Sequence, residues 1–272
     1  MRSLVAFFLI TFAVSWSIWL GTNALLSSEP SAILTSVSGL FLLAGTIAPS
    51  LVALAVTART EGHAGLSALL SRLTLLPAGA RWYVFAAGFM PTIKLAVVVL
   101  HRVITGAWPT TMGSTPWYVM ALATLVSTPV QAGEEIGWRG FALPRLASRV
   151  GLAGASVILG IIWACWHLPL FFIPGGNVGE SFPTYVLGVT AISVAMAWLY
   201  WRTNGSLLLT MLMHAAINNT ASIVHAPAAV PFALRPSLIG GLTGALLWVP
   251  AAYFLLRMRA AGSHPAFSMC TR

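Results

Sequence analysis

The sequence contains no aspartate, and its five acidic residues are all glutamates. Only 7% of its 272 residues are charged, whereas 58% are hydrophobic. A soluble domain of this size needs many more ionised groups to cover its surface. The composition therefore excludes a soluble globular protein and indicates an integral membrane protein.

Cysteine is also scarce, with Cys165 in an apolar run and Cys270 in the C-terminal tail. Two cysteines so placed indicate neither a disulfide framework nor a cysteine-type metal site. The net charge of +9 does not require a nucleic-acid partner, because no basic stripe on a soluble face is present. Membrane proteins instead place such basic residues at their cytoplasmic edges.

Long apolar runs account for most of the chain. Each is long enough to cross the hydrocarbon core of a bilayer, and no internal repeat, low-complexity tract or soluble domain separates them. The sequence therefore predicts an all-α polytopic helical bundle forming a single membrane domain over residues 1–272. The eight predicted spans lie at about Leu4–Leu26, Ile33–Val56, Trp82–His101, Trp117–Gly133, Leu152–Ile173, Phe182–Tyr200, Ser206–His225 and Leu238–Leu256.

Two features near the N-terminus refine this outline. The first apolar run is too long for a signal peptide and no A-x-A site follows it, which favours an uncleaved helix. Between the second and third spans, leucines recur at helical spacing before Pro77, which predicts a short interfacial helix. That stripe consists of Leu66, Leu69, Leu70 and Leu73.

The basic residues predict the orientation of the bundle. If the N-terminus is cytoplasmic, ten arginines fall on the inner side and only Arg102 and Arg235 on the outer side. This bias predicts cytoplasmic N- and C-termini, and the arginine-rich composition favours a bacterial plasma membrane. The ten inner residues are Arg2, Arg59, Arg72, Arg81, Arg145, Arg149, Arg202, Arg257, Arg259 and Arg272.

The stretch GEEIGWRGFALPRL, residues 133–146, places two adjacent glutamates and an arginine inside an apolar helix. We expect this helix to continue to a break at Pro144, which puts Glu134 roughly 14 Å from its inner end. Glu135 and Arg139 are spaced i, i+4 and so form a natural ion pair, whereas Glu134 points about 100° away. Glu134 is therefore a carboxylate without a charged partner on its own helix.

Four further polar or aromatic positions have helical spacing in later spans. Trp163 precedes His167 by one turn, and His214 and Asn218 share a face. Ionisable groups at such depth cost several kcal/mol unless paired, which makes them functional candidates. A carboxylate that activates water, imidazoles that orient it or protonate an amine, and amide donors for an oxyanion are the components of a hydrolytic site.

Together these motifs resemble the three-motif signature of the CAAX protease and bacteriocin-processing (CPBP, or Abi) family of intramembrane proteases. The motifs are Glu134-Glu135-x-x-x-Arg139, Trp163-x-x-x-His167 and His214-x-x-x-Asn218. The resemblance covers about residues 117–225 and extends to the type II CAAX prenyl endopeptidases. One departure is Trp163, where the second motif of the family usually has phenylalanine.

The resemblance implies an endopeptidase that cuts membrane-associated or lipid-modified peptides near the cytoplasmic side. It makes Glu134 the general base on the attacking water, assisted by His167, with His214 and Asn218 at the oxyanion. Glu135, Arg139 and Trp163 would support these groups, and no cofactor is favoured. An alternative is a metalloprotease with Glu134, His167 and His214 as zinc ligands, although the sequence has no HExxH motif.

A second class of function stays open at this point, namely a non-enzymatic immunity or transport protein. Such a protein would use the same polar cluster to hold a proton or a ligand, or only to hold its helices together. A transporter would be favoured by paired broken helices or repeats, and the sequence shows neither. Lys94, in an apolar segment near Pro91, either extends toward the membrane surface or meets an acidic substrate terminus. No nucleic-acid partner is expected.

Overall fold

The computed structural model describes residues 2–28, 32–77, 79–173, 180–227 and 232–261. Glu29, Cys270 and Arg272 lie outside these ranges, so the predicted cytoplasmic C-terminus stays a prediction. Among the described residues, β pairing is limited to an isolated antiparallel bridge between Met112 and Val224. The all-α bundle predicted from the sequence is confirmed. Its helices are α1 (Arg2–Ser28), α2 (Ala32–Leu70), α3 (Ala80–Thr105), α4 (Trp117–Ser127), α5 (Ala132–Glu135), α6 (Leu143–Trp166), α7 (Phe182–Arg202), α8 (Leu207–Thr220) and α9 (Leu238–Ala261).

Six helical stretches in the described part of the chain are long and apolar enough to cross a membrane. One of them, Trp117–Trp166, has 50 residues and would measure about 75 Å if straight, far more than the roughly 30 Å of a hydrocarbon core. Gly151 breaks it at φ 72°, ψ 162°. The stretch therefore corresponds to two predicted spans, and the shorter helix Leu207–Ile223 corresponds to a third.

The predicted break at Pro144 is wrong. The chain stays helical through a 3₁₀ turn (Thr128–Gln131), α5, a π-helix (Ile136–Ala142) and the start of α6, and it breaks only at Gly151. Pro144 lies in the first turn of α6, directly after the π-helix, where the hydrogen bonding changes from the π to the α pattern. Gly151 supplies the positive φ that reverses the chain.

The short helix predicted between the second and third spans is present as the last part of α2, and its position at the membrane interface stays a prediction. Gly62 breaks α2 at φ 64°, and the helix beyond it passes into a 3₁₀ turn at Ser71–Leu73. At this end of the bundle the Arg72 guanidinium donates to the Tyr200 hydroxyl, and Arg145 pairs with Glu61. These contacts join the ends of α2, α6 and α7.

The π-helix lies at the centre of the packing, and all seven of its residues are buried. It lies against α2 and α6, while α6 packs on α7, α3 on α8, and α7 on α9. Gly137 makes the close approach of α2 possible, since a Cβ there would lie 2.6 Å from the Pro49 carbonyl oxygen. The two glutamates are thus held on a helix fixed from several sides.

Candidate active site

Glu135 is the hub of a buried charge cluster. Its Oε1 accepts a hydrogen bond from Arg139 Nη1 at 2.7 Å and another from His214 Nδ1 at 2.8 Å. The Glu135 and Arg139 side chains are fully buried, so the predicted ion pair is present. The bond to His214 joins the end of α5 to α8, so Glu135 holds the His214 ring in addition to pairing with Arg139.

The bond to Glu135 fixes the proton on the His214 ring. An ionised carboxylate can only accept, so Nδ1 carries the proton and Nε2 of the neutral ring presents a lone pair. Nε2 lies 4.0 Å from Oε1 of Glu134. The two adjacent glutamates therefore flank one imidazole, with Glu135 holding it and Glu134 facing its free nitrogen.

Two tryptophans hold the other oxygen of Glu134. Oε2 accepts from Trp163 Nε1 at 2.7 Å and from Trp138 Nε1 at 3.3 Å. The Trp163 ring is also covered by the Arg139 guanidinium, whose carbon lies 4.1 Å from the ring centre. Trp163 thus supplies an N–H donor that phenylalanine, the usual residue in the second motif, cannot provide. The Oε1 atom of Glu134 accepts no hydrogen bond from these tryptophans and faces His214.

His167 lies at the end of α6 and packs differently from His214. Its Nδ1 donates to the Trp163 carbonyl oxygen at 2.8 Å, and its ring contacts Trp166 and Tyr185 edge-on, with centroids 4.7 and 5.6 Å away. In the described part of the chain, no hydrogen bond joins His167 to Glu134. The imidazole closer to the predicted base is therefore that of His214.

Asn218 follows His214 by one turn of α8, as the spacing predicted. Its Nδ2 lies 3.4 Å from Gln131 Oε1, a weak contact that engages one of its two N–H groups. Asn218 is exposed, whereas His214 is 4% exposed. The carboxamide therefore lies at the accessible side of the cluster.

A cavity of about 690 Å³ lies beside this cluster and has a volume typical of ligand-binding pockets. Trp163, His167, His214 and Asn218 line its inner part, with apolar side chains from α3, α7 and α9 around them. Lys94, which is 5% exposed, also lines it. At its far end the lining consists of Glu180, Thr184, Ser222, His225 and Ala226.

Residues 114–220 of the chain match the family model described as type II CAAX prenyl endopeptidase Rce1-like. The matched segment includes all three motifs and the helices that carry them. Residues 114–220 form an Rce1-like domain. The chain is also similar to the CAAX prenyl protease 2 of Methanococcus maripaludis, with 26% identity over 229 residues that cover 78% of this chain and 81% of the relative.

The resemblance to the CAAX and bacteriocin-processing proteases is thereby confirmed, and the similarity of this segment supports a peptidase activity for an integral membrane protein. This assignment supports the enzymatic alternative over the immunity or transport alternative. The roles of single residues stay predictions, as does the extension of one membrane domain over residues 1–272.

Sequence reasoning selected candidate residues whose catalytic roles stay predictions, and it missed three of their contacts. It left Glu134 without a charged partner on its own helix, whereas Trp138 and Trp163 both donate to its Oε2. It also treated Glu135 as support for Arg139 alone. The i, i+4 spacing from Glu134 to Trp138 was a usable signal, but nothing local in the sequence indicates that Glu135 binds His214.

Proposed function

We propose that the Rce1-like domain hydrolyses peptide bonds with Glu134 as general base on a water molecule. The 4.0 Å separation between Glu134 Oε1 and His214 Nε2 carries this proposal. A water about 2.8 Å from both atoms would subtend an angle of roughly 90° at its oxygen, close to the angle between its own hydrogens. Glu134 Oε1 and His214 Nε2 would then each accept one hydrogen bond from this water, and a lone pair on the water oxygen would remain for attack.

The proposed reaction needs no group beyond these side chains. Water gives its proton to Glu134 as its oxygen bonds to the scissile carbonyl carbon, and an N–H of Asn218 stabilises the oxyanion. Protonated Glu134 then transfers the proton to the leaving amine, and the C–N bond breaks. His167 contributes Nε2 to the same cavity, where it contacts the substrate rather than Glu134.

The geometry supports this metal-free reaction over the zinc alternative. Two ligands of a tetrahedral zinc ion lie about 3.3 Å apart when each is about 2.0–2.1 Å from the metal, less than the 4.0 Å between Glu134 Oε1 and His214 Nε2. Across the described ranges, no three His, Cys, Asp or Glu residues are grouped so that they could hold a metal.

Purified protein in detergent should cleave a peptide substrate, and a strong chelator should leave the rate unchanged. A catalytic zinc would supply the nucleophilic hydroxide, so its removal would stop a metalloprotease. The measurement combines the cleavage rate with and without chelator and the zinc content of the same sample. Stoichiometric zinc, with activity lost to chelator and restored by metal, would overturn the glutamate mechanism.

We further propose that the substrate is cut close to its C-terminus and carries a lipid. C-terminal CAAX sequences are prenylated at cysteine, and the name of the archaeal relative refers to such substrates. The cavity wall supports this, because apolar residues such as Val189, Ile192 and Leu247 line it beside the polar cluster.

Lys94 supports recognition of a C-terminal carboxylate. It is buried in the cavity wall, and among the described residues no carboxylate lies within ion-pair distance of its ammonium group. Glu180 shares the cavity and acts on Lys94 only at longer range. Burial raises the pKa of the Glu180 carboxyl, and the charge of Lys94 lowers it by less. An unpaired buried ammonium favours an anionic ligand.

Replacing Lys94 with methionine should raise KM roughly ten- to a hundredfold for peptides ending in a free acid, because a hydrogen bond to a charged group is lost. The same peptides ending in a C-terminal amide should show little change, and Lys94→Arg should restore part of the preference for the acid. The measurement is KM for each acid and amide pair. Equal effects on both members of a pair would refute the carboxylate role.

A further inference from the structure

The candidate catalytic groups described above are mostly hydrogen-bond acceptors. Nδ1 of His167 and Nδ1 of His214 each carry a proton, because a carbonyl oxygen and a carboxylate accept from them. The Nε2 atoms of both neutral rings therefore present lone pairs, as does Oε1 of Glu134. Of the four candidate residues only Asn218 offers N–H groups, and one of these contacts Gln131. The cluster is therefore well suited to hold a water molecule but has few donors for an oxyanion.

An oxyanion hole usually contains more than one donor. Addition of water to a peptide carbonyl group places a negative charge on the carbonyl oxygen, and serine proteases stabilise the same charge with two backbone N–H groups. The loss of one such donor lowers turnover by roughly 10²–10³-fold. A second donor on the cavity wall is therefore expected close to the two histidines.

Tyr185 lies near the start of α7, on the side of the helix that faces the cavity. Val189 and Ile192 follow it at helical spacing, and all three residues line the cavity. The Tyr185 ring packs edge-on against His167, with centroids 5.6 Å apart, and against Phe171, with centroids 5.3 Å apart. Two aromatic contacts thus fix the tyrosine beside a candidate catalytic imidazole.

The Tyr185 hydroxyl group has no hydrogen-bond partner among the residues that the structure describes. The other side-chain hydroxyl groups that line the cavity are engaged: Thr184 with Ser181, Ser222 with the Asn219 carbonyl oxygen, and Thr243 with the Ile239 carbonyl oxygen. Glu134 and Glu180 act on the Tyr185 hydroxyl group electrostatically, but neither is bonded to it. A partly buried tyrosine usually directs its O–H to an acceptor, and here the cavity is where that acceptor would bind.

We propose that the Tyr185 hydroxyl group is a second donor to the oxyanion, together with Asn218. This inference rests on the proposed peptidase function and adds a catalytic residue to it. The oxyanion forms as water adds to the carbonyl carbon, and it accepts hydrogen bonds from α7 and α8. The carbonyl double bond forms again as the C–N bond breaks. Tyr185 keeps its proton throughout, since the proton for the leaving amine comes from Glu134.

Tyr185→Phe tests this role, because it removes the hydroxyl group and keeps the packed ring. Peptide turnover should fall by roughly 10²–10³-fold, the usual cost of one oxyanion donor. KM should change by less than about threefold, because the oxyanion is absent from the bound substrate. The measurements are kcat and KM of the detergent-purified variant, with thermal unfolding to show that the fold persists.

Tyr253→Phe is the matched control. Tyr253 packs against Trp198 and Phe254, and its side chain does not line the cavity. It is exposed, so loss of its hydroxyl group should leave turnover within about twofold. A defect in Tyr185→Phe that this control does not share belongs to the cavity.

An ester analogue of the same peptide separates oxyanion stabilisation from protonation of the leaving group. An alkoxide needs a proton less than an amine does, whereas both substrates form the same kind of oxyanion. Tyr185→Phe should therefore lose turnover to a similar extent on both. A loss confined to the peptide would assign Tyr185 to protonation of the amine, and a raised KM with unchanged kcat would assign it to substrate binding. Either result would overturn the oxyanion role.

The failure of this role is distinguishable from failure of the peptidase function. Unchanged turnover in Tyr185→Phe, with cleavage by the native protein, would refute the role of the tyrosine and leave the peptidase function standing. If the native protein in detergent cleaved neither the peptide nor the ester, the peptidase function would be refuted, and the oxyanion role with it.

Discussion

Replacing Glu134 with glutamine is expected to lower the turnover of peptide by roughly 10²–10⁴-fold, the usual cost of losing a general base. Glutamine keeps the volume of the side chain and can still accept from Trp138 and Trp163, so the fold should persist. It cannot take a proton from water. The measurement is kcat for the purified variant, with thermal unfolding to show that the fold is unchanged.

Glu61→Gln is the matched control for this experiment. It also removes one negative charge, but Glu61 is exposed and pairs with Arg145 between the last part of α2 and the start of α6, away from the cavity that His214 lines. Its turnover should stay within about twofold, since surface ion pairs contribute little. If Glu134→Gln retained turnover within about tenfold of the native enzyme, Glu134 would be removed from the mechanism.

Replacing Glu135 with glutamine is expected to destabilise the protein by about 3–5 kcal/mol, the usual cost of breaking a buried ion pair. Glutamine keeps an acceptor oxygen but carries no charge, so Arg139, whose Nε and Nη2 have no partner in the described structure, would be left as an uncompensated buried cation. The His214 Nδ1–H would be held by a neutral carboxamide oxygen instead of a carboxylate, which is a weaker acceptor. The checks are the yield of folded protein and its thermal unfolding in detergent.

A double variant separates these two consequences. Glu135→Met with Arg139→Met removes both charges, and such apolar replacement of a buried pair is often neutral for stability. Stability should therefore return, but turnover should stay low because nothing holds His214. A Glu135→Gln protein with native stability would contradict the ion-pair role, and a fully active double variant would contradict the orienting role.

The part of the site that could be predicted from the sequence is the part carried by local spacing. Glu135 and Arg139 pair at i, i+4, and His214 and Asn218 share a face, because helical periodicity alone sets these relations. The bond from His214 to Glu135 joins residues 79 positions apart. Such a contact depends on which helices pack together, and hydropathy patterns do not determine that in a uniformly apolar bundle.

The predicted end of the fourth span failed for a related reason. Proline usually ends a helix, but here a π-helix ends at Ala142 and Pro144 is the second residue of the α-helix that follows it. A π-helix, with its i→i+5 hydrogen bonds, has no pattern in the sequence comparable to the apolar stripe that identifies an amphipathic α-helix. The apolar run continues across the π-helix, and only the structure shows that the chain reverses at Gly151.

The π-helix has a consequence for how this chain can accumulate insertions and deletions. A π turn holds about one residue more than an α turn, so removing one residue between Ile136 and Ala142 would let the segment relax to ordinary α geometry. Six residues in α geometry, at about 100° each, sweep nearly the same angle as the seven residues of the wider π turn, so α6 would keep its direction relative to Glu134 and Glu135. Arg145 would still face Glu61 and α6 would still face α7, so this segment should tolerate the loss of one residue better than the α-helices beside it.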